Sequence, residues 1–165
     1  MSIKIKNRHR LKSRDIRFFQ DEIKKTFPSV KLNEKSSIET GEFEGIKIVF
    51  IDGAPCFMFH ENKIVFTLYG INKFNPRENY VVVDMGAVKF VTSGADVMVP
   101  GIVNADKNIN EDSQVWICDE THKKPLAIGI AIMNGEQMIS EEKGKAIKTI
   151  HHVGDMIWDF VAKSL

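Results

Sequence analysis

The feature that most limits what this chain can fold into is a change of hydrophobic period near residue 36. Before it, Ile16, Phe19, Ile23 and Phe27 recur at helical spacing and form one apolar stripe. Ser13 is the expected N-cap of that helix, which should run to about Thr26 and stop at Pro28. After it, from Ser36 to Leu68, the runs GIKIVFID, PCFMFH and IVFTL are separated by turn residues and read as a meander of antiparallel strands. Asp52-Gly53 is a hairpin signal, because a two-residue turn that matches strand twist needs positive φ. Within PCFMFH, Cys56, Met58 and His60 share one face, and Phe57 and Phe59 the other. Cys56 and His60 are metal-type side chains without a second pair nearby, so no metal is expected.

The net charge of +1 conceals an asymmetry. Residues 1–78 hold 15 Lys+Arg against 10 Asp+Glu, and residues 79–165 hold 8 against 12. The halves therefore carry +5 and −4 and predict two units with different surfaces. The stretch GINKFNPREN between them, with its Gly, Pro and three Asn, reads as a loop. A boundary near residue 77 gives domains 1–77 and 78–153 and a tail 154–165. In the opening segment Lys4, Lys6, Arg8, Arg10, Lys12 and Arg14 all occupy even positions, with no acid before Asp15. As a strand this places every charge on one face. Two readings stay open: a basic edge that meets phosphates, or an edge strand guarded by charge against aggregation.

The second half continues the α+β pattern. YVVVD reads as a buried strand, and MGAVKFVTSG as a short helix closed by Gly94. ADVMVPGIV is extended, QVWICDE and PLAIGIAIM are strands, GEQMISEEKG is a short helix, and KAIKTIHHV is a last strand. GDMIWDFVAKSL is an amphipathic tail whose Ile157, Trp158, Phe160 and Val161 can pack onto the body.

VVVDMGAVKFVTSGADVMVPGIV resembles the start of a PUA domain, the module named for pseudouridine synthases and archaeosine transglycosylases. Asp84-Met85-Gly86-Ala87 looks like the family's entry turn, and Ser93 through Met98 like its central motif. Pro100-Gly101 matches its P-G, and GKAIKTIHHVGD its closing strand. A C-terminal PUA domain behind a strand-rich pre-PUA domain resembles the small archaeal relatives of the malignant-T-cell-amplified-sequence protein and of ligatin. The resemblance implies an N-terminal α+β domain with an antiparallel sheet, then a PUA pseudo-barrel of mixed strands with short helices.

It also implies a non-catalytic, cofactor-free RNA-binding protein of translation or tRNA metabolism. Its partners would be tRNA or rRNA, the small ribosomal subunit and a translation-factor partner protein. The implied groove comprises Lys89, Ser93, Gly94, Ala95, Asp96 and Met98, with Lys145 and Lys148 opposite. Lys4, Lys6, Arg8 and Arg10 would add phosphate contacts. One departure stands out: this PUA segment is acidic, with Glu111, Asp112, Asp119 and Glu120 among its acids. An acidic surface near the groove would turn the domain toward protein docking, with the basic half carrying RNA affinity.

Other chemistries find no support. The chain has no G-x-G-x-x-G or Walker loop and no G-x-S-x-G elbow. His151 and His152 would point to opposite faces of a strand, one half-buried and the other at the surface, where either imidazole is a candidate for stacking on RNA. No apolar run is long enough for a membrane helix, the N-terminus lacks a signal-peptide core, and two cysteines make no disulfide framework. A cytoplasmic location is expected. The alternatives are an RNA-delivering subunit of a modification enzyme and a protein-interaction adaptor on a PUA scaffold.

Overall fold

The computed structural model describes residues 3–165. The chain divides into two compact units, one running to Pro76 and including Asp159–Leu165, the other spanning Arg77–Trp158.

The first unit contains β1 (Lys6–Arg10), α1 (Ser13–Thr26), β2 (Ile38–Phe43), β3 (Ile46–Ile51), β4 (Ala54–His60), β5 (Lys63–Phe66) and α2 (Leu68–Phe74). Its five strands form one antiparallel sheet in the order β1-β2-β3-β4-β5. Three two-residue turns build the meander: Glu44-Gly45, Asp52-Gly53 and Glu61-Asn62, each with positive φ at both positions. That geometry matches the twist of the strands it joins. The Ser37 N–H and the Ser36 hydroxyl donate to the Asp52 carboxylate at 2.9 and 2.8 Å. These bonds hold the Asp52 carboxyl below the usual carboxylate range. Helix α1 supplies Phe19, and its C-cap residue is Phe27; they meet Phe57 and Phe66 edge-on at 5.0 Å each.

Three local expectations change. The N-cap of α1 is Lys12, whose side chain makes no capping bond, and Ser13 is the first helical residue. The stretch expected as a loop begins inside a helix, α2. Thr67 caps it, accepting from Gly70 N–H while its hydroxyl donates to the Pro55 carbonyl. Gly70 sits there because a Cβ would collide with the Cys56 carbonyl, so tertiary packing and not helix propensity selects glycine. The basic ribbon is also broken. Asn7 is left-handed (φ 53°), and two residues of β1, Asn7 and Arg8, oppose one of β2, Gly41, between the pairs Lys6–Glu42 and His9–Thr40. This bulge puts Arg8 and Ile5 together over Gly41. The Arg8 guanidinium lies 4.1 Å over the Phe50 ring and 3.4 Å from Glu39. Lys4 precedes β1, while Lys12 and Arg14 belong to the start of α1.

The second unit contains β6 (Tyr80–Val83), α3 (Met85–Val91), β7 (Val97–Met98), a 3₁₀ turn (Val99–Gly101), β8 (Ile102–Ala105), β9 (Gln114–Asp119), β10 (Pro125–Ala131), α4 (Gly135–Ser140) and β11 (Lys145–His152). Its sheet runs β7-β11-β10-β9-β6-β8. The β6–β9 pair is parallel and the others are antiparallel. The 3₁₀ turn joins the two edge strands, and the bonds Asp84 N–H to Gly101 O and Val99 N–H to Gly144 O nearly close the barrel. Val81, Val83, Ile117, Ala127 and Ile147 fill its interior.

Helix α5 (Met156–Ser164) follows β11. Asp155 starts it by accepting the Trp158 N–H at 2.8 Å. Phe160 and Val161 are buried, and Phe160 stacks on Phe43 at 4.3 Å within the first unit.

Candidate nucleic-acid interface

Helix α3 begins at Asp84, whose carboxylate accepts the Ala87 N–H at 2.9 Å, and the Met85 N–H reaches Glu120 at 3.3 Å. The helix ends at Thr92, and Gly94 (φ 92°) turns the chain toward β7. An open cleft of about 410 Å³ lies between α3, this turn, β7 and Pro100-Gly101. Ala87, Phe90, Val97, Met98 and Pro100 give it apolar walls. Phe90 is 57% exposed and Met98 47%, so two large apolar side chains face solvent where they border it.

Strand β11 laces the turn from the other side. Lys145 pairs in register with Met98, and its Nζ lies 3.0 Å from the Asp96 carboxylate. Thr149 donates its N–H to Asp96 and its hydroxyl to the Ala95 carbonyl, at 3.0 and 2.9 Å. Burial works against the Asp96 charge, but the bonds from Lys145 and Thr149 outweigh it and keep the carboxyl below its ordinary range.

Of the groove residues expected from sequence, Ala95, Asp96 and Met98 line the cleft. Lys89 is exposed on α3, with its Nζ 5.1 Å from the Phe90 ring centre. Ser93 gives its hydroxyl to the Phe90 carbonyl at 2.9 Å. Gly94 forms the turn, Lys145 is engaged by Asp96, and Lys148 is exposed on β11 near the same carboxylate. Lys4, Lys6, Arg8 and Arg10 are exposed in the first unit. Phe90 is a wall residue that the motif did not mark. The signal was present, since Ala87, Val88 and Val91 make the inward stripe of α3 and a phenylalanine off that stripe must face out.

The acids divide. Asp119 is buried, and the His122 and Lys124 N–H groups bond it. Those bonds overcome its burial and lower its pKa. Glu111 and Asp112 are exposed between β8 and β9. Asp84 and Asp96 line the cleft itself, each already held by an N–H group. The cleft therefore presents apolar walls and two carboxylates that are already engaged.

The two histidines do face apart, but neither lies fully at the surface. His151 is 1% exposed, with Nδ1 2.9 Å from Asp155, and His152 is half-buried. Among the described residues no group of three His, Cys, Asp or Glu is placed to hold a metal. Burial pushes the Cys56 and Cys118 thiols up to about 11. No helix among the described residues is long and apolar enough to cross a membrane.

Comparison with known proteins follows these two units. Residues 79–153 match the PUA domain, and residues 7–74 match the domain of unknown function DUF1947. An uncharacterized protein of Methanocaldococcus jannaschii is 42% identical over 160 residues, covering 96% of this chain and 99% of that protein. Translation machinery-associated protein 20 of Saccharomyces cerevisiae is 31% identical over 169 residues, covering 94% of this chain and 93% of its own. Malignant T-cell-amplified sequence 1 of Rattus norvegicus is 32% identical over 120 residues, covering 70% and 65%. The crystal structure of a hypothetical protein from Pyrococcus horikoshii superposes with a TM-score of 0.83 at 34% identity, covering 93% of this chain and 99% of that one.

Proposed function

The chain belongs to the family of translation machinery-associated protein 20 and the malignant T-cell-amplified sequence proteins, a pre-PUA region followed by a PUA domain, and we propose that it is a non-catalytic RNA-binding protein of translation or tRNA metabolism. It takes an unpaired segment of tRNA or of small-subunit ribosomal RNA into the PUA cleft. It works in the cytoplasm, beside a translation-factor partner, and needs no cofactor.

The observation that carries this reading is the cleft, apolar in its walls and bordered by the exposed Phe90 and Met98. An unpaired base has two flat faces to bury on such side chains, and base stacking on an aromatic ring is worth about 1–3 kcal/mol. Lys89 and Lys148 are exposed nearby and take no part in the ion pairs found among the described residues, so they are available to phosphates. Asp84 and Asp96 support a second reading, in which the cleft docks a protein segment instead.

Retention and sequencing of cellular RNA tests the proposal. The parent should enrich tRNA or small-subunit rRNA, and Phe90→Ala and Ala95→Trp should lose the enrichment. If both variants fold and keep the parent's RNA, the cleft is not the RNA site. If the parent retains no RNA, the docking reading replaces it.

A further inference from the structure

We propose that His152 is a further nucleotide-contacting residue, its Nε2 accepting a hydrogen bond from the RNA strand that passes over the Gly94–Ala95 turn. This rests on the reading of the cleft as an RNA site. The ring's own contacts fix its chemistry. Its Nδ1 lies 2.9 Å from the Val153 carbonyl oxygen. A carbonyl can only accept, so Nδ1 carries a proton, and the tautomer that this bond selects has its lone pair on Nε2. The His152 N–H is itself given to the Asp155 carboxylate at 2.9 Å, which pins the residue from its backbone side. The imidazole is thus oriented by the chain's own backbone and by Asp155, as a recognition group should be.

Nε2 faces Gly94. A Cβ there would sit 2.9 Å from Nε2, closer than real contacts allow, and a tight 3.2 Å from the neighbouring ring carbon. Gly94 also has φ 92°, so two independent reasons keep that position without a side chain. Glycine at 94 lets the imidazole pack close to the turn, and His152 stays partly exposed there. The hydrogen bonds found for the ring reach Nδ1, and none reaches Nε2 among the described residues. The location matters as much as the vacant lone pair. Ala95, one residue on, is exposed and lines the cleft, and Thr149 of the same strand as His152 ties the Ala95 carbonyl. A strand leaving the cleft over this turn therefore meets Nε2.

What Nε2 recognises is a hydrogen-bond donor on a nucleotide, and an adenylate strand offers two: the ribose 2′-hydroxyl and the exocyclic amine of the base. Three short single-stranded probes separate them: oligoadenylate, its 2′-deoxy counterpart, and a ribose strand with purine replacing adenine. His152→Asn keeps a donor for the Val153 carbonyl but ends short of Nε2. It should weaken oligoadenylate binding about fivefold, the loss of one hydrogen bond. If the donor is the 2′-hydroxyl, the variant binds the deoxy strand as the parent does. If the donor is the amine, it binds the purine strand as the parent does. His152→Gln, whose carbonyl reaches the Nε2 position, should recover part of the loss. Should His152→Asn lower the thermal midpoint, His152→Phe takes its place with the same expectations. A variant that keeps the parent's midpoint and its affinity for all three strands overturns the proposal, as does a parent that binds none of them. Ala95→Trp in the same assay locates the failure. If it blocks binding while His152→Asn does not, the His152 interaction alone is wrong; if neither matters, the cleft reading falls with it.

Discussion

The edge strand of the first unit and the cleft of the second would meet a nucleic acid by opposite means. β1 is exposed along its whole length and carries Lys6, Arg8 and Arg10, but β2 sets Glu39 and Glu42 opposite them. The cleft holds no lysine or arginine among its lining residues, and its two carboxylates are tied by N–H donors. The first surface offers long-range attraction that salt screens. The second offers shape and apolar area, which salt leaves intact. Net charge alone would point to the first unit, yet the apolar cleft lies in the unit with the negative sum.

The largest expected effect tests the cleft side of this contrast. Ala95 is exposed, so Ala95→Trp should fold and obstruct the turn. With Phe90→Ala, which removes the stacking surface, it should lower RNA affinity by roughly 1–3 kcal/mol each. Binding titrations at low and high salt should show the same loss. A loss that vanishes at high salt would show that the cleft works by charge after all.

Much of this architecture was legible from residues close in sequence. Asp52-Gly53 announced its hairpin, and Phe19, Ile23 and Phe27 announced the buried face of α1, because both signals are local. What escaped depends on partners far along the chain. Helix α2 exists through the Thr67–Pro55 bond and the close approach of Gly70 to Cys56. Asn7 breaks the alternation of β1 in a way no count of even-numbered cations reveals. At the cleft, the motif from Ser93 to Met98 marked the turn between α3 and β7, but it could not show that Lys145 is held by Asp96 or that Phe90 points outward.

The two units should also part company in acid. Asp96, Asp119 and Asp155 in the second unit are held below the ordinary carboxylate range, as is Asp52 in the first. At Asp155 burial opposes the charge, and donation from His151, Trp158 N–H and His152 N–H overcomes it. A carboxyl whose folded pKa is depressed stabilises the fold at pH above its unfolded value. That contribution is lost as pH falls through the folded pKa. The second unit should therefore lose more stability below about pH 4. Both tryptophans, Trp116 and Trp158, lie in it, so tryptophan fluorescence should change before the overall loss of strand signal. Asp155→Ala should cost about 1–2 kcal/mol at neutral pH and flatten the acid transition. Coincident transitions would erase this difference between the units.

On the other side of the contrast, replacing Lys4, Lys6 and Arg10 with Ser should weaken binding to all RNAs alike. Each phosphate no longer neutralised should lower the salt slope by about 0.7 for a single strand. Arg8 should behave differently. Its guanidinium is spent on Phe50 and Glu39, so Arg8→Ser should cost about 0.5–1 kcal/mol of stability and little affinity. An unchanged salt slope in the triple variant would leave β1 as a charge-guarded edge.

The smallest effect belongs where the two mechanisms meet, at Lys145. Its side chain is half exposed and paired with Asp96 at 3.0 Å, so much of its field is already cancelled. An exposed pair of this kind contributes about 0–1 kcal/mol. Lys145→Gln should therefore weaken RNA binding only slightly, and only at low salt. Asp96→Asn keeps an acceptor for the Thr149 N–H while releasing Lys145, and should strengthen binding at low salt by a similar margin. Lys145→Glu sets two acids against each other and should exceed the loss of Lys145→Gln, again only at low salt. If Lys145→Gln instead matches Phe90→Ala and the loss survives high salt, Lys145 is a direct recognition group, and the division between a charged edge and a neutral cleft fails.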